Sequence, residues 1–422
     1  MTESQLWSAP QSDGFTAHVN LPGSKSLTNR ELVLSALAHE KTTLQNPLVS
    51  RDSELMIAAL SSLGAEFSWS GADLTITPHE LSGPARIDCG LAGTVMRFVP
   101  PLAMLANGEV FFDGDEGARK RPMATTIESL RALGGEVTST DGKLPFTVLG
   151  AGSVQGGALE IDASASSQFV SGLLLSAARF DQGLVLTHRG ETLPSLPHIE
   201  MTLETVRQRG VQAKTLSETS WQVMPSEISG GQIAIEPDLS NAGPFMAAAM
   251  VSAGTVTIPN WPTTTTQVGD HYRSILEQMG ADIKLNDGLL TITGTGQING
   301  IDMDLGEAGE LTPTIAALAA LASSPSRLTG IGHLRGHETD RLKALVTEIN
   351  SLGGNAMELE DGIEITPAKL SGGTWHTYHD HRMATSGAII GLVVPGVKVE
   401  NIATTSKTMP NFSDMWLEML GS

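Results

Sequence analysis

Residues Gly23–Ala38 read GSKSLTNRELVLSALA: a glycine and small polar residues, then a largely apolar run. Five further stretches share that build. They are LAGTVMRFVPPLAMLA from Leu91, SASSQFVSGLLLSAA from Ser164, LSNAGPFMAAAMVSAG from Leu239, AGELTPTIAALAALAS from Ala308 and DHRMATSGAIIGLVV from Asp380. The spacing is about 70 residues, the mark of one unit multiplied. A helix apolar on nearly all sides must be enclosed by other elements, so each stretch predicts a buried helix.

A second, amphipathic helix type lies between them and repeatedly runs out into glycine: SELMIAALSSLGA, ATTIESLRALGGE, IEMTLETVRQRGV, YRSILEQMGAD and DRLKALVTEINSLGG. Short β-rich pieces such as LTITP, LVLTH, LLTITG and IEITP join them, bounded by Gly, Ser, Asp and Pro. Each unit reads strand, buried helix, strand, amphipathic helix, more strand. Six enclosed helices need two cores, and the chain divides into three units plus three near Pro237. The fold class is therefore α/β with two similar domains.

Composition limits the function. The 422 residues carry 46 acids against 26 Lys and Arg, a net charge of −20, which argues against gripping a nucleic-acid backbone. No apolar run approaches the roughly 18 residues of a membrane span. The one cysteine, Cys89, fits a reducing compartment, and the start MTESQLWSAP lacks the features of a signal peptide. We expect a cytoplasmic protein with neither nucleic-acid nor membrane partner.

The buried helices begin with Ser24, Ser26, Thr94, Ser166, Ser167, Ser240 and Asn241, residue types that cap a helix and leave its electropositive end open. Scarce cations stand on or near the same starts: Lys25, Arg30, Arg97, Arg121, Arg341, Arg382 and Lys407. A charge pair at about 4 Å gives about 4 kcal/mol at an effective dielectric of 20, whereas salt screens the diffuse acidity within about 8 Å. The local cations decide, and they point to small polyanionic substrates.

Seven motifs occur in order: PGSKSLTNR at Pro22, LAGTVMR at Leu91, KRPM at Lys120, SASSQF at Ser164, HETDRL at His337, YHDHRM at Tyr378 and TSKTMP at Thr405. Together they resemble the EPSP synthase family of enolpyruvyl transferases over nearly the whole chain. The resemblance implies an inside-out α/β barrel fold of two domains, each of three βαβαββ units, which close over the substrates. The domains would be residues 21–236, and 1–20 with 237–422. It implies transfer of the enolpyruvyl group of phosphoenolpyruvate to the 5-hydroxyl of shikimate 3-phosphate, with no metal or organic cofactor, and we expect a monomer.

Carried onto this chain, the resemblance implies that Lys25, Ser26, Arg30, Ser166, Ser167, Gln168, Ser195, Glu310 and His337 hold shikimate 3-phosphate. Lys25, Gly93, Arg121, Gln168, Arg341, Arg382 and Lys407 would hold phosphoenolpyruvate, the two last-named arginines being suited to a carboxylate and Lys407 to phosphate. Glu310 would act on the hydroxyl and Glu338 on the carbon, with Lys25 the third catalytic residue. Four positions depart from the common pattern: Glu310 stands for Asp, His337 for Lys, His333 for Asn and Leu91 for Asn.

The related UDP-N-acetylglucosamine transferases use a loop cysteine and a Lys-Asn pair. Here the pair is Lys25-Ser26, and GDEGARKRPM contains no cysteine. A non-catalytic metabolite sensor would not require the two glutamates. His376, His379 and His381 are expected to cap or to support, not to bind metal.

Overall fold

The computed structural model describes residues 6–336 and 338–421. The chain forms two compact units, Gly23–Ile235 and Met1–Pro22 with Glu236–Ser422, each with its own apolar core.

The Gly23–Ile235 unit holds three four-stranded open sheets of the same pattern. In the second, Ala85–Asp88 pairs parallel with Asn107–Asp113, which pairs antiparallel with Phe146–Ala151, itself flanked by Glu136–Ser139. The parallel pair needs a crossover, and the buried helix Gly93–Ala103 supplies it. The third sheet repeats this with Gly157–Ile161, Leu184–His188, Ser220–Val223 and Ala213–Ser217, bridged by the helix Gln168–Ser176. In the first sheet the parallel partner of Thr42–Gln45 is Gly231–Ala234, from the far end of the unit.

The other unit has two sheets of that kind and one shorter one. Thr16–His18 lies parallel to Thr255–Ile258, and Asp302–Asp304 parallel to Ser326–Thr329. The last sheet has three strands among the described residues: Thr374–Trp375 and Lys398–Glu400 run parallel, and Leu6–Ser8 adds antiparallel. The sixth repeat is thus not equal to the others. The chain follows it with the helix Phe412–Met419, and its third strand comes from the N-terminal segment.

Burial follows the sequence pattern. Every residue of the helices Gly243–Val251 and Thr312–Ala320 is buried. Runs such as Met246–Ala249 and Ile315–Ala320 leave no polar stripe for solvent, and their alanines let neighbouring backbones approach. The outer helices end where the glycines predict, with Gly64 at φ 115° and Gly353 at φ 89°, conformations that a side chain would strain.

The caps depart from expectation. Ser24 accepts from the Leu27 N–H at 3.4 Å and Asp380 from the Arg382 N–H at 2.8 Å. The N-cap residues of the helices starting at Gly93, Gln168, Gly243 and Thr312 make no side-chain cap bond, and Pro244 and Pro313 occupy first-turn positions in the last two.

Candidate active site

In the Gly23–Ile235 unit the starts of four helices carry the chemistry. Lys25 opens the helix Lys25–Leu37, and its ammonium lies 3.9 Å from Asp52. One turn on, Arg30 is 2% exposed, and its donors reach Thr202 Oγ1 at 2.8 Å, the His198 carbonyl at 2.8 Å and the Ser26 carbonyl at 2.9 Å. It therefore ties the start of its own helix to that of Leu196–Gln208. Ser195, the residue before that helix, sits at φ 57°, a left-handed conformation costing about 1–3 kcal/mol outside glycine. Such strain aims a side chain at the expense of stability.

Gly93, Arg121 and Gln168 come together. A Cβ on Gly93 would stand 2.9 Å from Gln168 Oε1 and 3.0 Å from Arg121 Nη2, so only glycine leaves room between them. Arg121 also donates to the Leu91 carbonyl at 3.1 Å. Beneath them Arg97, 3% exposed, donates to the Pro122 carbonyl at 3.1 Å and lies 5.6 Å from the Phe169 ring. Ser166 Oγ accepts from the Gln168 N–H at 3.2 Å, fixing the start of the third buried helix.

The second unit builds a different cluster around carboxylates. Asp380, wholly buried, caps its helix and grips Arg341, with Nε to Oδ2 at 2.7 Å and Nη2 to Oδ1 at 3.2 Å. Arg341 Nη2 also donates to Glu338 Oε2 at 2.9 Å. Lys407 bonds the other oxygen of Glu338, and His381 Nδ1 stands 3.3 Å from Oε2. Glu310 accepts from Ser240 Oγ and faces Arg382 Nη2 at 3.6 Å. The Lys407 segment is anchored by Asn241, which exchanges bonds with Thr408 at 3.2 Å.

These surroundings set the charges. Burial opposes the charge of Glu338, but His381, Lys407 and Arg341 together hold its carboxyl well below the usual range. Burial pulls His381 down to about 4, so near neutrality the ring is uncharged and the permanent cations Lys407 and Arg341 keep Glu338 ionised. Burial pulls both Arg30 and Arg97 down to about 9, and Arg121 adds repulsion at Arg97. Both remain cationic at neutral pH. Burial also lowers His333, whose ring faces Gly309 beside Glu310.

The structure thus brings together Gly93, Arg121 and Gln168 in one unit, and Glu338, Arg341 and Lys407 in the other, with Glu310 beside Arg382. Arg30 is buried behind Ser26 instead of presenting its fork. His337 lies outside the described residues. His376 pairs with Glu400 at 2.9 Å, and His381 stands 3.3 Å from Glu338. Donor atoms of Glu338, Asp380 and His381 lie within 4.8 Å of one another, but Arg341 and Lys407 already compensate the two carboxylates. Sequence reasoning missed Asp380 as the clamp on Arg341, Ser240 as the partner of Glu310, and Asp52 beside Lys25. An aspartate directly before an apolar helix was the available signal for the first.

Comparison with known proteins places the chain in a family. The family described as EPSP synthase (3-phosphoshikimate 1-carboxyvinyltransferase) matches residues 10–416. The chain is 57% identical to the 3-phosphoshikimate 1-carboxyvinyltransferase of Kocuria rhizophila, over 100% of this chain and 98% of that one. It is similar to a solved EPSP synthase from Acinetobacter baumannii, with TM-score 0.84 and 25% identity over 99% of this chain and 98% of the other. A second Acinetobacter baumannii structure, 24% identical over 98% of each chain, matches in fold with TM-score 0.82. The chain therefore belongs to the EPSP synthase family, whose enzymes transfer the enolpyruvyl group of phosphoenolpyruvate to the 5-hydroxyl of shikimate 3-phosphate and release phosphate.

Proposed function

We propose that residues of both clusters bind the anionic substrates of this reaction and that the second cluster also supplies its proton transfer. Lys25, Ser26, Ser166, Ser167, Gln168, Ser195 and His337 take shikimate 3-phosphate, and Arg30 acts by holding the Ser26 and His198 carbonyls in place. Phosphoenolpyruvate is held by Lys25, Gly93, Arg121 and Gln168, with Arg341 and Arg382 at its carboxylate and Lys407 at its phosphate. Helix N-termini and paired guanidinium donors are suited to such groups.

In the addition step the 5-hydroxyl oxygen bonds to the central carbon of the enol while its proton passes to Glu310. A proton from Glu338 adds to the methylene carbon, giving a tetrahedral intermediate. In the elimination step the carbon–phosphate bond breaks, and a proton leaves the new methyl group to restore the double bond. Glu338 is held ionised at rest, so it is ready for that second transfer. For the first it must carry a proton, and the proton that leaves the methyl group in the elimination returns it to that form.

The observation that carries this reading is the convergence of Arg341, Lys407 and His381 on one carboxylate. The test is phosphate release with both substrates present. Release is expected only when both are added, and release from phosphoenolpyruvate alone would sink the reading. We place the working enzyme in the cytosol as a monomer. Cys89, buried and pushed up to about 12 by that burial, is a thiol of low reactivity suited to a reducing compartment. No described helix is long and apolar enough to cross a membrane.

A further inference from the structure

His188 ends the strand Leu184–His188, is 4% exposed, and lies apart from the residues assigned above. Its Nδ1 accepts the Ala163 N–H at 3.1 Å. A ring nitrogen that accepts carries no proton, so the ring is neutral and its proton sits on Nε2, a buried atom without a hydrogen-bond partner. The Ala163 carbonyl in turn accepts the Ser166 N–H at 3.0 Å, and Ser166 Oγ accepts the Gln168 N–H at 3.2 Å. A continuous hydrogen-bond path thus runs from the His188 ring to the start of the third buried helix. His188 is itself fixed in the sheet by its N–H to the Thr219 carbonyl at 2.8 Å.

We infer that His188 is a positioning residue for the loop Asp162–Gln168, and that protonating its ring releases that loop and weakens shikimate 3-phosphate binding. This rests on the reading of Ser166, Ser167 and Gln168 as contacts of that substrate. With both ring nitrogens protonated, Nδ1–H would meet the Ala163 N–H donor to donor, and the buried amide would lose its acceptor. Asp162 is the charged group set against the ring: a Cβ on Gly190 would touch Asp162 Oδ1 at 2.4 Å and His188 Cε1 at 2.6 Å. Bonds from Ser164 hold Asp162 below its ordinary value, so it stays ionised through mildly acidic pH. On the neighbouring strand Glu160 pairs with Arg189 at 2.5 Å, and on the adjacent helix Glu128 pairs with Arg131 at 2.7 Å.

The test measures shikimate 3-phosphate affinity from pH 7.5 to 5.5 for wild type and His188→Gln, whose amide oxygen can accept the Ala163 N–H without titrating. Comparing the two cancels titration of the substrate. Wild type is expected to lose more affinity toward acid than the Gln variant, by at most about tenfold per pH unit, the limit for one proton. Superimposable profiles, or wild type binding relatively tighter in acid, would overturn the inference. Amide exchange at Ala163 in the ligand-free wild type reads the latch without any variant. Protection at pH 7.5 that falls away at pH 5.5 supports it, and constant protection refutes it. Ser166→Ala separates the two readings. If that change leaves affinity at pH 7.5 untouched, the site assignment fails and the inference falls with it. If affinity drops while the His188 profiles coincide, the latch alone is wrong.

Discussion

Buried arginines beside the two clusters sit in opposite surroundings. Arg30 and Arg97 of the Gly23–Ile235 unit are surrounded by neutral acceptors: carbonyls, hydroxyls, a thioether and aromatic faces. Arg341 of the other unit is wrapped by Asp380 and Glu338. A cation solvated by neutral dipoles keeps its field. A cation matched by carboxylates gives up its field but fixes their ionisation. The first arrangement is an anchor for polyanions and the second a tuned proton-transfer group.

The sharpest break in that contrast is Glu338→Gln. It removes proton transfer but keeps shape, so kcat should fall by about 10²–10⁴-fold with both substrates still bound, and exchange of solvent deuterium into the methylene should stop. Normal exchange would remove Glu338 from the chemistry. Next is Lys25→Ala, expected to lower kcat/KM by about 10²-fold with the melting temperature held, through loss of charge-assisted bonds to substrate. Unchanged kinetics would confine Lys25 to its contact with Asp52.

Stability should separate the two kinds of cation. Arg341→Met strands Asp380 and Glu338 and is expected to cost about 3–5 kcal/mol in urea unfolding, whereas Arg97→Met leaves no unpaired charge and should cost nearer about 1 kcal/mol while raising KM for phosphoenolpyruvate. Equal losses would abolish the distinction. The pH dependence of stability tests the second cluster further. Folded His381 lies at about 4 against an ordinary 6.5, so the unfolded chain binds more protons between those values and stability falls as pH drops through that window. Glu338, also depressed, adds loss below the ordinary carboxylate range. His381→Gln should flatten the part between pH 6.5 and 4, as followed by urea midpoints; an unaltered slope would clear His381.

Much of the candidate site was legible because it is local. Lys25 and Ser26 follow a Pro-Gly turn, and Arg121 and Lys407 sit in short polar segments whose neighbours leave them little else to do. What was not legible was pairing. Arg30 looked like Lys25 from the sequence, but one further turn of helix carries it inside, where Thr202 and His198 arrive from 168 to 172 residues away. The sixth repeat looked complete until Leu6–Ser8 filled a strand position that its own segment left open.

Periodicity, apolar runs and terminal glycines act within one or two helical turns, so the sequence alone determined the buried helices, the outer helices and the repeat of strand and helix. Partners of charged groups are set by which chain segments meet in space. Only the tertiary structure decided that Asp380 would clamp Arg341, that His188 would receive the Ala163 amide, and which arginines would keep their field. The physical reason is range. Backbone preference is spent locally, whereas the energy of a buried charge depends on every group that packing places around it.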